Sequence, residues 1–343
     1  MSITVLASGI DTMEASYPGT VSDTFLGELE VLRSRAQELD TPQPYPIEDF
    51  DFSVQPHGLK AFRYLLTCPE AHVRIARGER LPSAFIRLSA YGLALHGARP
   101  LYDALTLGLA DALGLSGSRL SRLDVAIDFQ GFAPTDLAGT RFICPAEFRP
   151  IYPNAEKPET YQFGKGNIVV RLYNKTREIV VSGKTWVRAG WEVNPAYDPS
   201  LDVWRLEVQL RRQALRELGC PTPEDAFERL DELTSHGLSW CDLRTIGPGS
   251  SDTWERHPIW RTLAETVCGN APPLLRTVHQ SKLSGFERSA NAILGYCVSA
   301  GARLNLTDFD MLWPVIEEAV RVRMGSPEEF AAACDRRRRQ RLI

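Results

Sequence analysis

No stretch of this 343-residue chain is apolar for long enough to cross a bilayer, which argues against a membrane-spanning helix. Met1 to Tyr17 shows no basic region followed by an apolar stretch, so no secretory signal is expected and a cytoplasmic location is the expectation. The seven cysteines, at positions 68, 144, 220, 241, 268, 297 and 334, form no CxxC pair and no Cys/His cluster. An odd, dispersed set argues against a zinc site or a disulfide framework, and for reduced, mostly buried thiols. The six histidines are equally scattered, with no His-hydrophobic-His pair. Gly164-Lys165-Gly166 and Gly183-Lys184-Thr185 both lack Walker spacing, so an ATPase is rejected and the first reads as a hairpin turn. No Ser/His/Asp arrangement stands out.

An excess of basic charge is also missing: the net charge is −4. Its distribution is uneven. Residues 1–51 hold ten acidic side chains and two basic ones, a balance of −8, so the remainder carries +4. Nucleic-acid binding is therefore permitted by bulk charge but not demanded by it. The basic run Arg336-Arg337-Arg338-Arg339-Gln340-Arg341 reads as a solvated helix end or tail.

The pattern of elements points to an α+β fold. Ile3 to Tyr17 reads as a strand or hairpin arm, and Ser22 or Asp23 caps an acidic helix reaching about Leu39. Phe62 to about Leu95 alternates as strands do, and Arg99 to Leu113 has helical spacing. Strand patterns return at Ser121–Phe129, Thr160–Phe163, Asn167–Lys175 and Val203–Arg211. After about Gln213 helical periods dominate, with start signals at Thr222-Pro223-Glu224-Asp225, Ser284, Thr307-Asp308 and Ser326-Pro327. Two regions are expected, an α+β domain over 1–215 and a helical C-terminal region over 216–343.

Three of the strands share one design, because alternate residues of a strand face the same side. In Arg122 to Phe129, Leu123, Val125, Ile127 and Phe129 share one face, and Arg122, Asp124, Ala126 and Asp128 the other. In Trp204 to Arg211, the polar face carries Arg205, Glu207, Gln209 and Arg211. In Ile168 to Lys175, it carries Arg171, Tyr173 and Lys175. If the strands are neighbours, their polar faces pool three carboxylates, a phenol and several fixed cations. Oxygen-only ligands of this kind suit Mg²⁺ or Mn²⁺, which would polarise a phosphoryl oxygen. Tyr173 would supply a nucleophile able to form a phosphotyrosine, with Arg171 and Lys175 placed to lower the phenol's pKa. The same alternation equally suits an ordinary wet sheet face laced with Arg–carboxylate pairs.

Arg122-Leu123-Asp124-Val125-Ala126-Ile127-Asp128 resembles the "RlDlavD" motif of the replication initiation factor family, the initiators of certain rolling-circle plasmids, phages and conjugative elements. Tyr161-Gln162-Phe163-Gly164, followed by Arg171-Leu172-Tyr173-Asn174-Lys175, resembles that family's glycine turn and its Tyr-bearing strand. Trp204-Arg205-Leu206-Glu207-Val208-Gln209-Leu210-Arg211 resembles its "RxExxL+" strand. The motifs stand in the family's order, across roughly Ile3 to Arg212. The resemblance implies a relaxase-like nuclease core built on an antiparallel sheet, and an endonuclease and strand transferase that attacks a scissile phosphate with tyrosine. A 5′-phosphotyrosine and a free 3′-OH would result. It gives Tyr173 as nucleophile with Lys175 and Arg171 beside it, and Asp124, Asp128 and Glu207 as ligands of Mg²⁺ or Mn²⁺. Arg122, Arg205 and Arg211 fall to DNA contact, Arg205 with an acidic neighbour as its alternative partner. The implied partners are single- and double-stranded origin DNA, with a host helicase and a second copy of the chain as candidates. A catalytically silent DNA-binding regulator and a water-using metal nuclease are the rival readings. Tyr161 and Tyr197 are lesser nucleophile candidates. Asp11 reads as a turn or cap residue, with a place near the site on the first strand as the alternative, and Trp254 and Trp260 as core aromatics or base-stacking platforms.

Overall fold

The structure, a computed structural model, describes residues 3–76, 81–114, 117–146, 148–151, 160–269, 271–276 and 282–339. Thirteen strands are formed among them: β1 Thr4–Tyr17, β2 Gln43–Pro44, β3 Ser53–Val54, β4 Tyr64–Thr67, β5 Ala71–Ile75, β6 Ala84–Leu88, β7 Arg119–Gln130, β8 Thr140–Ile143, β9 Phe148–Ile151, β10 Thr160–Phe163, β11 Ile168–Asn174, β12 Trp204–Arg211 and β13 Asp242–Thr245. The helices are α1 Asp23–Leu39, α2 Ala90–His96, α3 Ala98–Leu113, α4 Lys175–Val181, α5 Val187–Glu192, α6 Arg212–Glu217, α7 Pro223–Glu228, α8 Leu230–Trp240, α9 Pro258–Cys268, α10 Lys282–Leu304, α11 Phe309–Met324 and α12 Pro327–Arg339.

Eleven strands make one sheet in the order β2-β3-β4-β5-β6-β1-β7-β12-β11-β10-β9, and β13 pairs with β8 in a second. Neighbouring strands in both are antiparallel. The expected α+β class with an antiparallel sheet is what the chain forms. The three strands with a polar face lie side by side in it, β7 beside β12 and β12 beside β11.

Burial explains why the sheet forms where it does. The apolar faces of β7 (Leu123, Val125, Ile127, Phe129) and β12 (Trp204, Leu206, Val208, Leu210) join one core with Phe25 and Leu29 of α1 and Leu101, Leu105 and Leu109 of α3. The same core takes in Leu215 of α6, Leu238 of α8 and Trp260 of α9. Helix α8 approaches β12 closely at Gly237, where an added Cβ would lie 2.6 Å from the Val208 methyls. A second, smaller cluster joins Leu6, Ile179, Trp191 and Val203.

Local capping moves two boundaries from their expected places. Ser89 ends the strand pattern and caps α2, its side chain accepting from Gly92 N, so residues 90–95 are helical. Asn174 likewise ends β11 and caps α4 by accepting from Arg177 N at 3.0 Å, which makes Lys175 the first helical residue and not the last of the strand. The cysteines described are free, with 68, 220, 241, 268 and 297 buried.

The chain divides into two compact units, Met1–Thr277 and Val278–Ile343. Helices α6 to α9 and strand β13, all of which follow β12 in the chain, belong to the first unit. In the second, α10, α11 and α12 follow one another, and Asp308 caps α11 by accepting from Asp310 N at 2.9 Å.

The core assignment makes a direct prediction. Phe129 is fully buried and Leu107 on α3 is 79% exposed. Phe129→Ala should lower the free energy of unfolding by about 3–5 kcal/mol, and Leu107→Ala by less than about 0.5 kcal/mol, read from urea titrations of both variants.

Candidate functional site

The register of the central strands sets the site. Across β7 and β12, Arg205 stands opposite Asp128, Glu207 opposite Ala126 and Gln209 opposite Asp124. Across β12 and β11, Arg205 stands opposite Tyr173 and Glu207 opposite Arg171. Small Ala126 leaves room for Glu207 between the two aspartates.

At the centre lies Arg205, 7% exposed. Its Nε and Nη2 donate to the two oxygens of Asp128 at 2.5 and 2.8 Å, and its Nη1 donates to Asp11 Oδ1 at 2.5 Å. Trp191 Nε1 donates to Asp128 Oδ2 at 2.8 Å, tying α5 to the same carboxylate. Burial disfavours the charged guanidinium, but Asp128 and then Asp11 outweigh it and hold Arg205 protonated.

Asp11 stands at a β-bulge. Ile10 pairs with Val125 and Thr12 with Asp124, so Asp11 is the extra residue between them. Asp11 keeps the side of Ala7 and Gly9, which stand opposite Asp128 and Ala126, and the bulge turns Met13 to the core side. It is therefore a partner of the site and not a turn or cap residue.

The second cluster is Tyr173, Glu207 and Arg171. Tyr173 Oη donates to Glu207 Oε2 at 3.0 Å, and Arg171 Nη1 donates to Glu207 Oε1 at 2.8 Å. Gln162 on β10 orients Arg171 by accepting from its Nε at 3.0 Å. Burial first, then the Glu207 carboxylate, push the Tyr173 phenol well above its ordinary value, and Arg205 offsets this only in part. The phenol is thus held protonated against a carboxylate able to receive its proton. Lys175 does not share the strand face expected of it: it lies in α4, its Nζ donates to Glu178 at 2.5 Å, and it sits 5.6 Å from the Tyr173 ring centroid. It lies over the aromatic ring, and the phenol's pKa is raised with this cation in place.

Asp124 is buried and gripped through both oxygens by Arg122. Burial raises its pKa from an ordinary 3.8 to about 6; Arg122 opposes the shift, and Glu207 and Asp11 add to it. Arg211, at the far end of β12, stands opposite Arg122 and is exposed.

Each expected cation ligand therefore has both oxygens engaged: Asp124 by Arg122, Asp128 by Arg205 and Trp191, and Glu207 by Arg171 and Tyr173. Among the described residues, no group of three or more His, Cys, Asp or Glu side chains could hold a metal ion. As arranged, these carboxylates bind arginines and do not fit a cation. Of the aromatic candidates, Trp260 is fully buried, its Nε1 donating to Cys241 O at 2.8 Å, so it is not a stacking platform. Tyr161 is buried in the main core. Tyr197 packs on Trp191 at 6.1 Å between centroids.

No protein-family model matches the chain, and no curated protein does. Among solved structures the chain is similar to one described as the structure of a rolling circle replication initiator protein from Geobacillus stearothermophilus, at 17% identity and a TM-score of 0.49, over 81% of this chain and 100% of that one. That likeness assigns no residue a role.

Two outcomes test the electrostatics. Asp128→Ala leaves Arg205 buried with its main partner gone and should cost about 3–5 kcal/mol of stability by denaturant titration. For Asp124, the folded state binds the proton more tightly than the unfolded chain between pH 3.8 and about 6. Stability should therefore fall as pH rises through that window, by about 3 kcal/mol at 1.36 kcal/mol per pKa unit. Asp124→Asn should remove this slope from a series of urea titrations.

Proposed function

We propose that the chain is a DNA strand-nicking and rejoining enzyme of the rolling-circle initiator type, acting through Tyr173. The observation that carries this reading is the Tyr173–Glu207–Arg171 arrangement, with Arg205 opposite the tyrosine in register. The resemblance of the three strands to the replication initiation factor family supports it independently of geometry. No helix of the described residues is long and apolar enough to cross a membrane.

In this reading the phenol oxygen of Tyr173 attacks the scissile phosphorus while Glu207 takes the phenolic proton. The Tyr Oη–P bond forms, the P–O3′ bond breaks, and the departing 3′ oxygen takes a proton from solvent. The products are a 5′-phosphotyrosine and a 3′-OH, and rejoining runs the same step backwards. Arg171, which shares Glu207 with the nucleophile, would stabilise negative charge there and on a phosphoryl oxygen. Arg122 and Arg211, adjacent across β7 and β12, offer guanidinium groups to the DNA backbone. Arg205 positions Asp128 and Asp11, and direct phosphate contact would require it to give up one of them. Binding of Mg²⁺ or Mn²⁺ by Asp124, Asp128 and Glu207 would likewise require an arginine to leave its carboxylate. The proposed partners are single- and double-stranded origin DNA in the cytoplasm, with a host helicase and a second copy of the chain as further candidates.

The full engagement of Asp124, Asp128 and Glu207 favours one second reading, a catalytically silent DNA-binding regulator. A gel assay for SDS-resistant adducts, using labelled single-stranded oligonucleotides from the encoding element with Mg²⁺, Mn²⁺ or EDTA, separates the two. Adduct formation that disappears in Tyr173→Phe is expected; binding without adduct under every condition would transfer the case to the regulator. Cleavage without adduct would indicate a water nucleophile. Glu207→Gln should slow adduct formation by roughly 10²–10⁴-fold. Its residual rate should climb with pH as hydroxide takes over the role of base, whereas a merely structural Glu207 would give no such climb. If a cation is to take Arg122's place on Asp124, Arg122→Ala should create or tighten Mn²⁺ binding in calorimetry; unchanged binding would remove Asp124 from the ligand set.

A further inference from the structure

We propose that a cavity beside Tyr173's strand neighbour Arg205 takes one nucleobase of a single-stranded DNA substrate, and selects a base that carries an exocyclic amino group. This inference rests on the strand-nicking reading and names where its substrate is recognised. The cavity, of about 700 Å³, lies between the polar face of the central strands and helices α2 and α5. Its size falls within the roughly 300–1,000 Å³ of small-molecule sites.

The cavity exists because the residues around it are small. Ala7 and Gly9 of β1 and Ala126 of β7 line the sheet side, and Ala94 and Gly190 line the helical side. An added Cβ would meet no atom within 4 Å at Gly9 or at Gly190. The aromatic side chains of Tyr91, Trp186 and Trp191 border this space. Tyr91 and Trp186 meet edge to face at 5.4 Å and both are partly exposed, so a base has π surfaces to stack on.

Charged groups gather at one part of the wall, where Asp11, Asp128 and Arg205 meet. Asp11 and Asp128 outnumber Arg205 at this part of the wall, and Arg99, which also lines the cavity, is paired with Asp103, so the base enters and the backbone stays outside. Asp11 Oδ1 accepts from Arg205, while Oδ2 makes no hydrogen bond among the described residues. A free carboxylate oxygen at the edge of an aromatic cavity accepts from an amino group, which adenine, cytosine and guanine present and thymine lacks. Arg205 is the cross-strand neighbour of Tyr173, so the bound base belongs to a nucleotide close to the scissile phosphate.

The test is fluorescence anisotropy with short labelled single strands of dA, dC and dT and an abasic strand of equal length. Strands of dA and dC should bind on the order of tenfold tighter than dT or abasic strands. Gly190→Leu, which fills the cavity from a helical position, should bring dA and dC down to the dT level while the far-ultraviolet circular dichroism stays unchanged. Trp186→Ala, at a partly exposed position, provides the same loss should the first variant misfold, and Asp11→Asn should erode the preference over dT. Equal binding of all four strands, or wild-type affinity in folded Gly190→Leu, overturns the proposal. Adducts that form normally in Gly190→Leu would sink the base site alone, whereas base-selective binding with no adduct would sink the nicking reading alone.

Discussion

The site depends on one buried cation. Arg205 sits inside the sheet with almost no exposure, and such a charge is tolerated only with carboxylates on it. Asp128 supplies two oxygens from β7 and Asp11 one from β1, so a single guanidinium joins three adjacent strands. A one-residue slip between β7 and β12 would turn Arg205 toward the apolar core and Leu206 toward the aspartates. The ion pairs therefore reinforce the register that also brings Glu207 beside Tyr173. Through Trp191 the same carboxylate anchors α5, and the position of α5 leaves the cavity open.

The neighbouring cluster obeys the opposite logic. Flanking cations are the means of activating Tyr173 that the strand pattern suggests, yet its hydrogen-bonding partner is a carboxylate. A phenol pressed against an anion in a partly buried setting holds its proton until a base removes it. Burial and then Glu207 raise the phenol's pKa, and in the proposed reaction the same Glu207 would take the proton, with Arg171 limiting its repulsion of an incoming phosphate.

Much of this is legible in the sequence because strands have a period of two. Alternation alone assigns Asp124, Asp128, Arg205, Glu207, Arg171 and Tyr173 to one kind of face, and the structure brings those faces together in adjacent strands. What alternation cannot supply is who stands opposite whom, so the capture of Asp128 by Arg205 and of Glu207 by Arg171 emerges only from register, whereas Asp124 is held by Arg122 of its own strand. Two departures have local causes. Lys175 reads as one more strand residue until the Asn174 cap turns the chain into a helix. Asp11 has the parity of Ala7 and Gly9 but not of Thr12 and Glu14, and the bulge that lets both sets share the polar face leaves no periodic trace. The cavity is invisible in the sequence for another reason: its walls are alanines and glycines from segments far apart in the chain, and small residues carry no chemical signature singly.

The polar face is also expensive for a sheet that needs only to be stable. Asp124, Asp128, Arg205, Glu207 and Gln209 are all buried in the central strands. Replacing a buried ion pair by well-packed apolar side chains is often neutral or stabilising, so stability alone gives little reason to keep five such groups together. Ala7 compounds the cost, because it leaves space unfilled where a larger side chain would gain packing. A purely structural layer would resolve both expenses in the same way, with leucine or valine at these positions. Buried charge and unfilled volume instead occur side by side, next to a tyrosine whose hydroxyl meets a carboxylate on this face, and that coincidence is what a site for a polar, flat ligand requires.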